Sequence, residues 1–277
     1  MLRANMGDAF QQYKHEDDFA QPPLEDQTMP TLAVYHPKGG VGKTTTAVNL
    51  AYLAAQSGAH TLLCDLDPQS AATFYFRVKP KLISGIKTFI KGGKYIERNV
   101  KGTDYDHLDL LPAALSHRHL ALALAQAKRS KQRLREILEP LQDEYVYVIL
   151  DCPPTLTLVA ENVLVAADYI LVPVVPSTLS IRAYQQLRAF CTKKNYDQQK
   201  LLTFFSMVEK RKKLHRDIMD DMLKQYSELL HSAIPYVSEI EKMGLVRAPV
   251  PASAPDSRAA QAYQHLWHEV QGLISKD

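Results

Sequence analysis

The feature that most constrains this chain is a glycine-rich segment, Lys-Gly-Gly-Val-Gly-Lys-Thr-Thr, at residues 38–45. The apolar run before it, residues 32–35, predicts a buried strand, and residues 47–55 after it are good helix formers. Glycines let consecutive backbone N–H groups curve around an anion, and the positive end of the following helix points to the same place. The strand, the loop and the helix together predict a phosphate-binding loop.

The residue types in this loop match the tasks of nucleotide binding. Lys43 would reach the β- and γ-phosphates, and Thr44 would offer its hydroxyl to Mg²⁺. A glycine-rich turn with an incidental lysine is the alternative, which the agreement of loop, lysine and flanking elements disfavours. The candidate nucleotide-binding residues are Gly39, Gly40, Val41, Gly42, Lys43, Thr44 and Thr45.

A second lysine, Lys38, stands at the start of the loop. With it, the segment resembles the deviant Walker A motif of the ParA/MinD family, and is closest to ParA-type partition ATPases. In that family the early lysine crosses a dimer interface to the nucleotide of the partner subunit. The resemblance implies catalytic roles for Lys38 and Lys43 and a homodimer that forms on ATP binding. Neutralisation of phosphate within its own subunit is the alternative for Lys38, and the sequence leaves both open.

Two further apolar runs end in carboxylates. One is followed by Asp65-Leu-Asp67, and the other by Asp151. Ligands bind beyond the carboxyl ends of strands in open parallel sheets, so these acids are candidates for the same site as the loop. Asp151 matches the acid that holds Mg²⁺ through water in phosphate-loop proteins, and Thr44 would share that ion. By resemblance to the family, Asp67 orients or activates the attacking water, and Asp65 supports the Mg²⁺ shell.

The resemblance continues into the second half of the chain. The segment beginning at Thr155, directly after Asp-Cys-Pro-Pro, would be the switch that responds to the γ-phosphate. In the family, the loop after the predicted strand at residues 201–208 and a later Ile-Pro segment frame the adenine. The residues that correspond to this frame are Met207, Val208 and Pro235.

Basic residues cluster in two regions. The densest cluster begins a predicted helix that runs to about Leu230, and a second group of lysines precedes it. Such cations suit sequence-independent contact with DNA phosphates, and no pattern for base readout accompanies them. The candidate DNA-binding residues are Lys193, Lys194, Lys210, Arg211, Lys212, Lys213 and Arg216. Residues 77–135 hold fourteen Lys and Arg against four acids, and there a solvated face and a nucleic-acid footprint are equally favoured.

One segment departs from the family pattern. After Ile-Pro, many chromosomal ParA proteins have an arginine-bearing stretch with Ser-Glu-Ala-Pro. This chain instead has Tyr-Val-Ser-Glu-Ile-Glu-Lys-Met-Gly at residues 236–244, so an acid stands where a DNA-contacting arginine is expected. The departure moves the expected DNA contact to the lysine clusters.

The 277 residues suffice for one large α/β domain. We expect a doubly wound, mainly parallel sheet with helices on both faces over residues 30–277, after an acidic, disordered extension at residues 1–29. A short partner-binding helix is the alternative for that extension. The three cysteines are few and scattered, which predicts neither a disulfide framework nor a metal site. No apolar run is long enough to span a membrane, and the N-terminus lacks a signal-peptide pattern.

These features lead us to expect a slow, Mg²⁺-dependent ATPase that is cytoplasmic and nucleoid-associated. Its ATP-bound homodimer would bind non-specific DNA and partition a plasmid, a chromosome origin or a protein organelle. A ParB-like or cargo-adaptor protein would stimulate hydrolysis, and no membrane partner is expected. A MinD-like membrane-surface ATPase would need a basic-flanked amphipathic tail, whereas the predicted final helix at residues 256–274 better suits closing the core. A metabolic enzyme on the same scaffold is the other alternative.

Overall fold

Alternating apolar strands and helices build one mixed sheet in the part of the chain that the structure describes. The structure is a computed structural model that describes residues 30–80, 85–113, 119–141, 143–226 and 228–275. The strands are β1 (Thr31–Val34), β2 (Thr61–Asp65), β3 (Lys101–Gly102), β4 (Leu108–Leu111), β5 (Tyr147–Asp151), β6 (Tyr169–Val174), β7 (Leu201–Val208) and β8 (Leu229–Pro235). Their order is β3-β4-β2-β5-β1-β6-β7-β8, and only the β3–β4 pair is antiparallel.

Helices cover both faces of the sheet. They are α1 (Lys43–Gln56), α2 (Ala71–Tyr75), α3 (Gly85–Phe89), α4 (Lys94–Glu97), α5 (Leu120–Ala125), α6 (Arg133–Leu138), α7 (Leu158–Ala166), α8 (Thr178–Lys194), α9 (Lys213–Gln225), α10 (Ser238–Val246), α11 (Val250–Ser253) and α12 (Arg258–Ile274). Leu32 and Val34 of β1 pack with α1 and α12, whereas Ala33 and Tyr35 face the apolar residues of α5 to α9. This alternation confirms the predicted doubly wound fold.

The strand order determines where the glycine-rich loop lies. Strand β1 sits between β5 and β6, so the chain extends the sheet in both directions from it. Because β1, β2 and β5 to β8 are parallel, all six end at one edge, which we call the carboxyl edge. The loop, Asp65 and Asp151 therefore meet at this edge, as the sequence predicts.

Two predictions at the end of the basic cluster are wrong. The predicted helix does not reach Leu230, because α9 ends at Gln225 and Leu229 and Leu230 lie in β8. The cluster also lies mostly before the helix, which begins only at Lys213. Leu229, Leu230 and Ile234 are buried and β8 pairs with β7, so sheet pairing overrides the helical periodicity. The predicted N-terminal extension lies outside the described residues.

The final helix, α12, closes the core. Tyr263, Leu266 and Trp267 are buried, and the Trp267 ring meets the Tyr147 ring edge to face at a centroid distance of 5.2 Å. The Ser257 hydroxyl caps the helix by accepting a hydrogen bond from the backbone N–H of Ala260 at 3.1 Å. This packing confirms the core-closing prediction. Among the described residues, no helix is both long and apolar enough to cross a membrane.

The three cysteines behave as small hydrophobic residues. Cys64, Cys152 and Cys191 are all unpaired and buried. The described residues contain no group of His, Cys, Asp and Glu with metal-site geometry.

Asn49 connects the helix after the loop to the C-terminal part of the chain. Its amide nitrogen donates to the Thr45 carbonyl at 2.6 Å, and its amide oxygen accepts from the Val250 N–H at 2.7 Å. The side chain is fully buried. Because a buried N–H without a partner is costly, this amide holds α11 against α1.

We predict that Asn49→Leu lowers the free energy of unfolding by about 2–4 kcal/mol, since it leaves the Val250 N–H without its acceptor at nearly unchanged volume. Urea denaturation measures the change. Gln56→Ala, at an exposed position of the same helix, should change it by less than about 0.5 kcal/mol. Equal stability of Asn49→Leu and the unmodified protein would contradict the role of the amide.

Candidate nucleotide-binding site

The backbone of the loop requires glycine at two positions. Gly40 has φ 68° and Gly42 has φ 92°, a region that L side chains rarely adopt. A Cβ at Gly42 would also lie 2.9 Å from Ser206 Oγ. Gly42 precedes the first residue of α1, and its carbonyl accepts hydrogen bonds from the Thr46 N–H and the Thr45 hydroxyl, both at 3.0 Å. The sequence therefore forms a tight turn that aims the start of α1 at the loop.

Lys43 is held inside this turn. It is only 7 % exposed, and its Nζ donates to the backbone carbonyl of Lys38 at 3.1 Å. Burial lowers the pKa of the ammonium, while the charges of Asp151 and Asp67 act in the opposite direction. The ammonium thus lies close to the acids of β2 and β5 and to the predicted position of the phosphates.

Asp151, the last residue of β5, is a buried carboxylate without hydrogen-bond partners. It is 0 % exposed, and neither of its oxygens has a partner at hydrogen-bond distance. Burial raises its pKa well above the usual range, the charge of Asp65 adds to this effect, and Thr44 and Lys43 oppose it. An unpaired buried carboxylate is unfavourable, so this position suits a cation. Asp151 and Thr44 supply the oxygen ligands that Mg²⁺ prefers.

Asp65 stands opposite Asp151 in the β2–β5 register, but its carboxylate is already bonded. Its Oδ2 accepts from the Thr73 N–H at 2.8 Å and from the Thr73 hydroxyl at 2.7 Å, and its Oδ1 accepts from the Asp67 N–H at 3.2 Å. Burial raises its pKa to about 6, and the bonds from Thr73 oppose the rise. Asp65 therefore anchors α2, and its support of a Mg²⁺ shell stays a prediction.

Asp67 lies in the turn between β2 and α2. It is half-buried, and its Oδ1 accepts from the Gln69 N–H at 2.9 Å. The turn ends at Ser70, which has a left-handed backbone with φ 55°. Such strain outside glycine is often found at functional sites. The structure brings Asp67 to the same edge as Lys43, and its action on a water molecule stays a prediction.

The three predicted adenine-frame residues lie together beside the loop. Met207 has φ 54°, and its Cε would lie 3.8 Å from a Cβ placed on Gly42. Val208 is paired with Pro235 across β7 and β8, and the Val208 carbonyl accepts from the Tyr236 N–H at 3.1 Å. The structure thus brings these residues close to the loop, and their contact with adenine stays a prediction.

Two residues that the sequence interpretation missed lie directly before the loop. The Tyr35 hydroxyl donates to the Thr155 carbonyl at 2.8 Å, so β1 is tied to the predicted switch segment. The Nδ1 of His36 accepts from the Lys38 N–H at 3.0 Å. A tyrosine and a histidine directly before a glycine-rich loop were the signal that the sequence offered.

The structure does not bring the seven predicted DNA-binding residues into one patch. Lys193 and Lys194 end α8, before β7 begins, whereas Lys210 and Arg211 follow the end of β7. An eight-residue strand spans about 26 Å, so the two groups lie at opposite edges of the sheet. Only the second group shares the carboxyl edge with the loop.

Several of these cations also have partners within the chain. The Arg216 guanidinium donates to the carbonyls of Lys210 and Arg211 at 2.8 and 3.2 Å, and Lys212 pairs with Glu209. Arg216 therefore shapes the loop between β7 and α9. Arg258, absent from the sequence prediction, adds its charge beside Lys210 and lowers the pKa of that lysine, although burial contributes more.

Part of the basic region at residues 77–135 also serves the fold. Arg133 donates to the Ile90 carbonyl at 2.7 Å and pairs with Glu136 at 2.7 Å, and Lys131 pairs with Glu161 at 3.1 Å. These contacts favour the interpretation of a solvated, internally paired face for this part of the region.

A glycine-rich loop after β1, a buried lysine at the start of α1 and an unpartnered acid at the end of β5 define a phosphate-loop nucleotide-binding protein. The family described as an AAA domain matches residues 29–204. A ParA family protein of Chlamydia muridarum is 30% identical over 252 residues, which cover 89% of this chain and 99% of that protein. The chain belongs to the ParA family.

Two further proteins are similar to this chain over most of its length. The sporulation initiation inhibitor protein Soj of Bacillus subtilis is 29% identical over 245 residues, covering 86% of this chain and 97% of Soj. A crystal structure named cobyrinic acid a,c-diamide synthase, from Mycobacterium smegmatis, contains an ATP analogue and magnesium. It is 28% identical, covers 87% of this chain and 93% of its own, and has a TM-score of 0.73.

We predict that Lys43→Ala abolishes ATP binding, because it removes the one ammonium enclosed by the loop's backbone. Calorimetric titration with ATP and Mg²⁺ measures the affinity. Lys242→Ala, at an exposed position on α10, is the control and should bind as the unmodified protein does. Unchanged affinity in Lys43→Ala would refute the assignment of the loop.

Proposed function

We propose that this protein is a nucleotide-switched ATPase, with ATP and Mg²⁺ as cofactors, that positions a cargo along nucleoid DNA. The observation that supports it best is Asp151, a fully buried carboxylate without partners, beside the enclosed ammonium of Lys43. The burial of a carboxylate without a hydrogen-bond donor is unfavourable in a merely structural loop, but it suits a site that binds a metal–nucleotide complex. The ParA family membership supports the partition function.

The site residues divide the chemistry between them. Lys43 and the N–H groups of the loop hold the phosphates, Thr44 and Asp151 hold the ion, and Asp67 orients the attacking water. The bound Mg²⁺ would supply charge neutralisation at the β- and γ-phosphates. Phosphoryl transfer of this kind depends on positioning and electrostatics, so turnover is slow until a partner completes the arrangement.

The carboxyl edge is also suited to a second subunit. Lys38 is half-buried at this edge, at the entrance of the loop. Exposed leucines follow the ends of β5, β6 and β7 there, namely Leu156 at 40%, Leu179 at 65% and Leu214 at 56% exposure. Apolar side chains grouped around a ligand site support an interface at that site. A two-fold homodimer would bring each Lys38 to the partner's nucleotide.

We predict that Asp67→Ala accumulates an ATP-bound dimer, because water is no longer oriented while phosphate contacts remain. Analytical ultracentrifugation with ATP and Mg²⁺ measures the dimer. Adding Lys38→Ala to this variant should return it to a monomer that still binds ATP.

Two results would contradict this arrangement. Normal turnover in Asp67→Ala would exclude the proposed role of that acid. A persistent dimer in the double variant would show that Lys38 neutralises phosphate within its own subunit.

DNA binding is assigned to the cations of the carboxyl edge. Lys210, Arg211 and Lys213 are exposed, Arg258 adds its charge near Lys210, and dimerisation across this edge would join two such sets. Binding would involve phosphates alone, with a dissociation constant of about 10⁻⁴ to 10⁻⁶ M at physiological salt. The ATP-bound dimer would therefore hold DNA more tightly than the monomer, through twice the number of contacts.

We predict that replacing Lys210, Arg211 and Lys213 by Ala weakens ATP-dependent DNA binding and lowers the slope of log K against log salt by about 0.9 per lost contact. Fluorescence anisotropy with non-specific duplex DNA, with ATP or ADP, measures both. Replacing Lys193 and Lys194 by Ala, at the opposite edge, is the matched control. A larger loss in the control would move the DNA surface to the amino ends of the strands.

The same DNA-binding experiment indicates which partners to search for and whether an alternative function applies. ATP-dependent binding would direct a search for a ParB-like or cargo-adaptor protein that stimulates hydrolysis in the nucleoid. The cargo would be a plasmid, a chromosome origin or a protein organelle. Absence of DNA binding in both nucleotide states would favour the membrane-surface or metabolic alternative. The synthase name of the M. smegmatis relative is the observation behind the latter.

A further inference from the structure

His36 occupies an unusual position between β1 and the loop. It is fully buried, and its Nδ1 accepts from the backbone N–H of Lys38 at 3.0 Å. The same Lys38 residue offers its carbonyl to Lys43 Nζ at 3.1 Å. The backbone of Lys38 is therefore held on both sides, by an imidazole at its N–H and by the loop lysine at its carbonyl.

The burial of the His36 imidazole lowers the stability of the fold. Because Nδ1 accepts a hydrogen bond, Nε2 carries the proton, and Nε2 is buried without a partner at hydrogen-bond distance. Burial, with the nearby charge of Lys43, lowers the pKa of His36 to about 4, so the ring is neutral at physiological pH. A buried polar atom without a full hydrogen bond lowers the stability of a protein, and leucine at this position would carry no such atom.

We propose that His36 is a positioning residue that fixes the backbone of Lys38, so that its ammonium is directed across the carboxyl edge to a second subunit. The inference rests on the proposed ATP-dependent dimer. Pro37 lies between the two residues and restricts the backbone, so the Nδ1 bond fixes the position of the Lys38 N–H. A long, flexible lysine side chain loses less entropy on reaching its target when its backbone is already fixed.

The position of His36 also connects the loop to another part of the same edge. The backbone of Ser180, in the first turn of α8, lies close enough to act on the His36 ring. That turn is ordered by the Ser180 hydroxyl, which accepts from the Val175 N–H at 3.1 Å, and it carries the exposed Leu179. The imidazole thus lies between the backbone of Lys38 and the backbone of the first turn of α8.

Three substitutions separate positioning from packing. In His36→Asn the Oδ1 atom is as many bonds from Cα as Nδ1 is, so the acceptor for the Lys38 N–H is retained. His36→Gln moves the acceptor one bond further out. His36→Leu removes both the acceptor and the unsatisfied Nε2. Each variant is made in the Asp67→Ala background, and its ATP affinity, ATP-dependent dimer constant and melting temperature are measured.

We expect the dimer constant to weaken about tenfold in His36→Leu and His36→Gln, and to stay within about twofold in His36→Asn. ATP affinity of the monomer should be unchanged in all three, and the melting temperature of His36→Leu should equal or exceed that of its parent. Rescue by Asn alone is the distinguishing result, because a packing role would follow side-chain volume.

Two sets of results would overturn the inference. Equal dimer constants in all variants would show that Lys38 needs no such support, and weakening in all three together with lower melting temperatures would assign His36 to packing. If the Asp67→Ala parent forms no ATP-dependent dimer, the proposed function fails, and this inference fails with it. A dimeric parent with unaffected variants refutes only the role of His36.

Discussion

The burial of charge at the end of β5 is the constraint on which the rest of this site depends. Asp151 is enclosed by the sheet, with Asp65 beside it on β2, so two carboxylates stand in a region of low dielectric. The charge of Lys43 compensates in part, because it lowers the pKa of Asp151. One ammonium does not suffice to keep both acids ionised, and the pKa of each carboxyl group is raised. The edge of the sheet is therefore organised to receive further positive charge together with an anion.

This constraint explains why neighbouring segments are tied down so closely. Thr73 holds Asp65 with two hydrogen bonds and thereby fixes α2, which follows the turn of Asp67. Tyr35 holds the carbonyl of Thr155, the first residue of the predicted switch segment. Each attachment joins a strand end to a neighbouring segment through one side chain. Segments attached in this way can change position when the charge at the edge changes, without disturbing the sheet.

The sequence predicted most of the sheet and the loop because their signals are local. The glycines at 40 and 42 indicate a turn that only glycine forms easily, and the acids at 65 and 151 follow apolar runs. The predictions from the sequence fail where tertiary contacts determine the structure. The helix predicted to run to about Leu230 extends into the first two residues of β8, where pairing with β7 determines the structure. Contacts such as that of Asn49 with Val250 join segments that are distant in the sequence, and no local sequence pattern predicts them.

The division of the basic residues between two edges shows why function depends on topology as well as composition. Basic side chains at the carboxyl edge share a surface with the loop, so a change of the bound nucleotide can alter their positions. Lys194, at the other end of α8, pairs with Glu161 at 3.3 Å and lies a strand's length from the loop. Its charge would be the same in every nucleotide state. The proposed release of DNA on hydrolysis therefore requires cations at the carboxyl edge, and in this chain these follow β7.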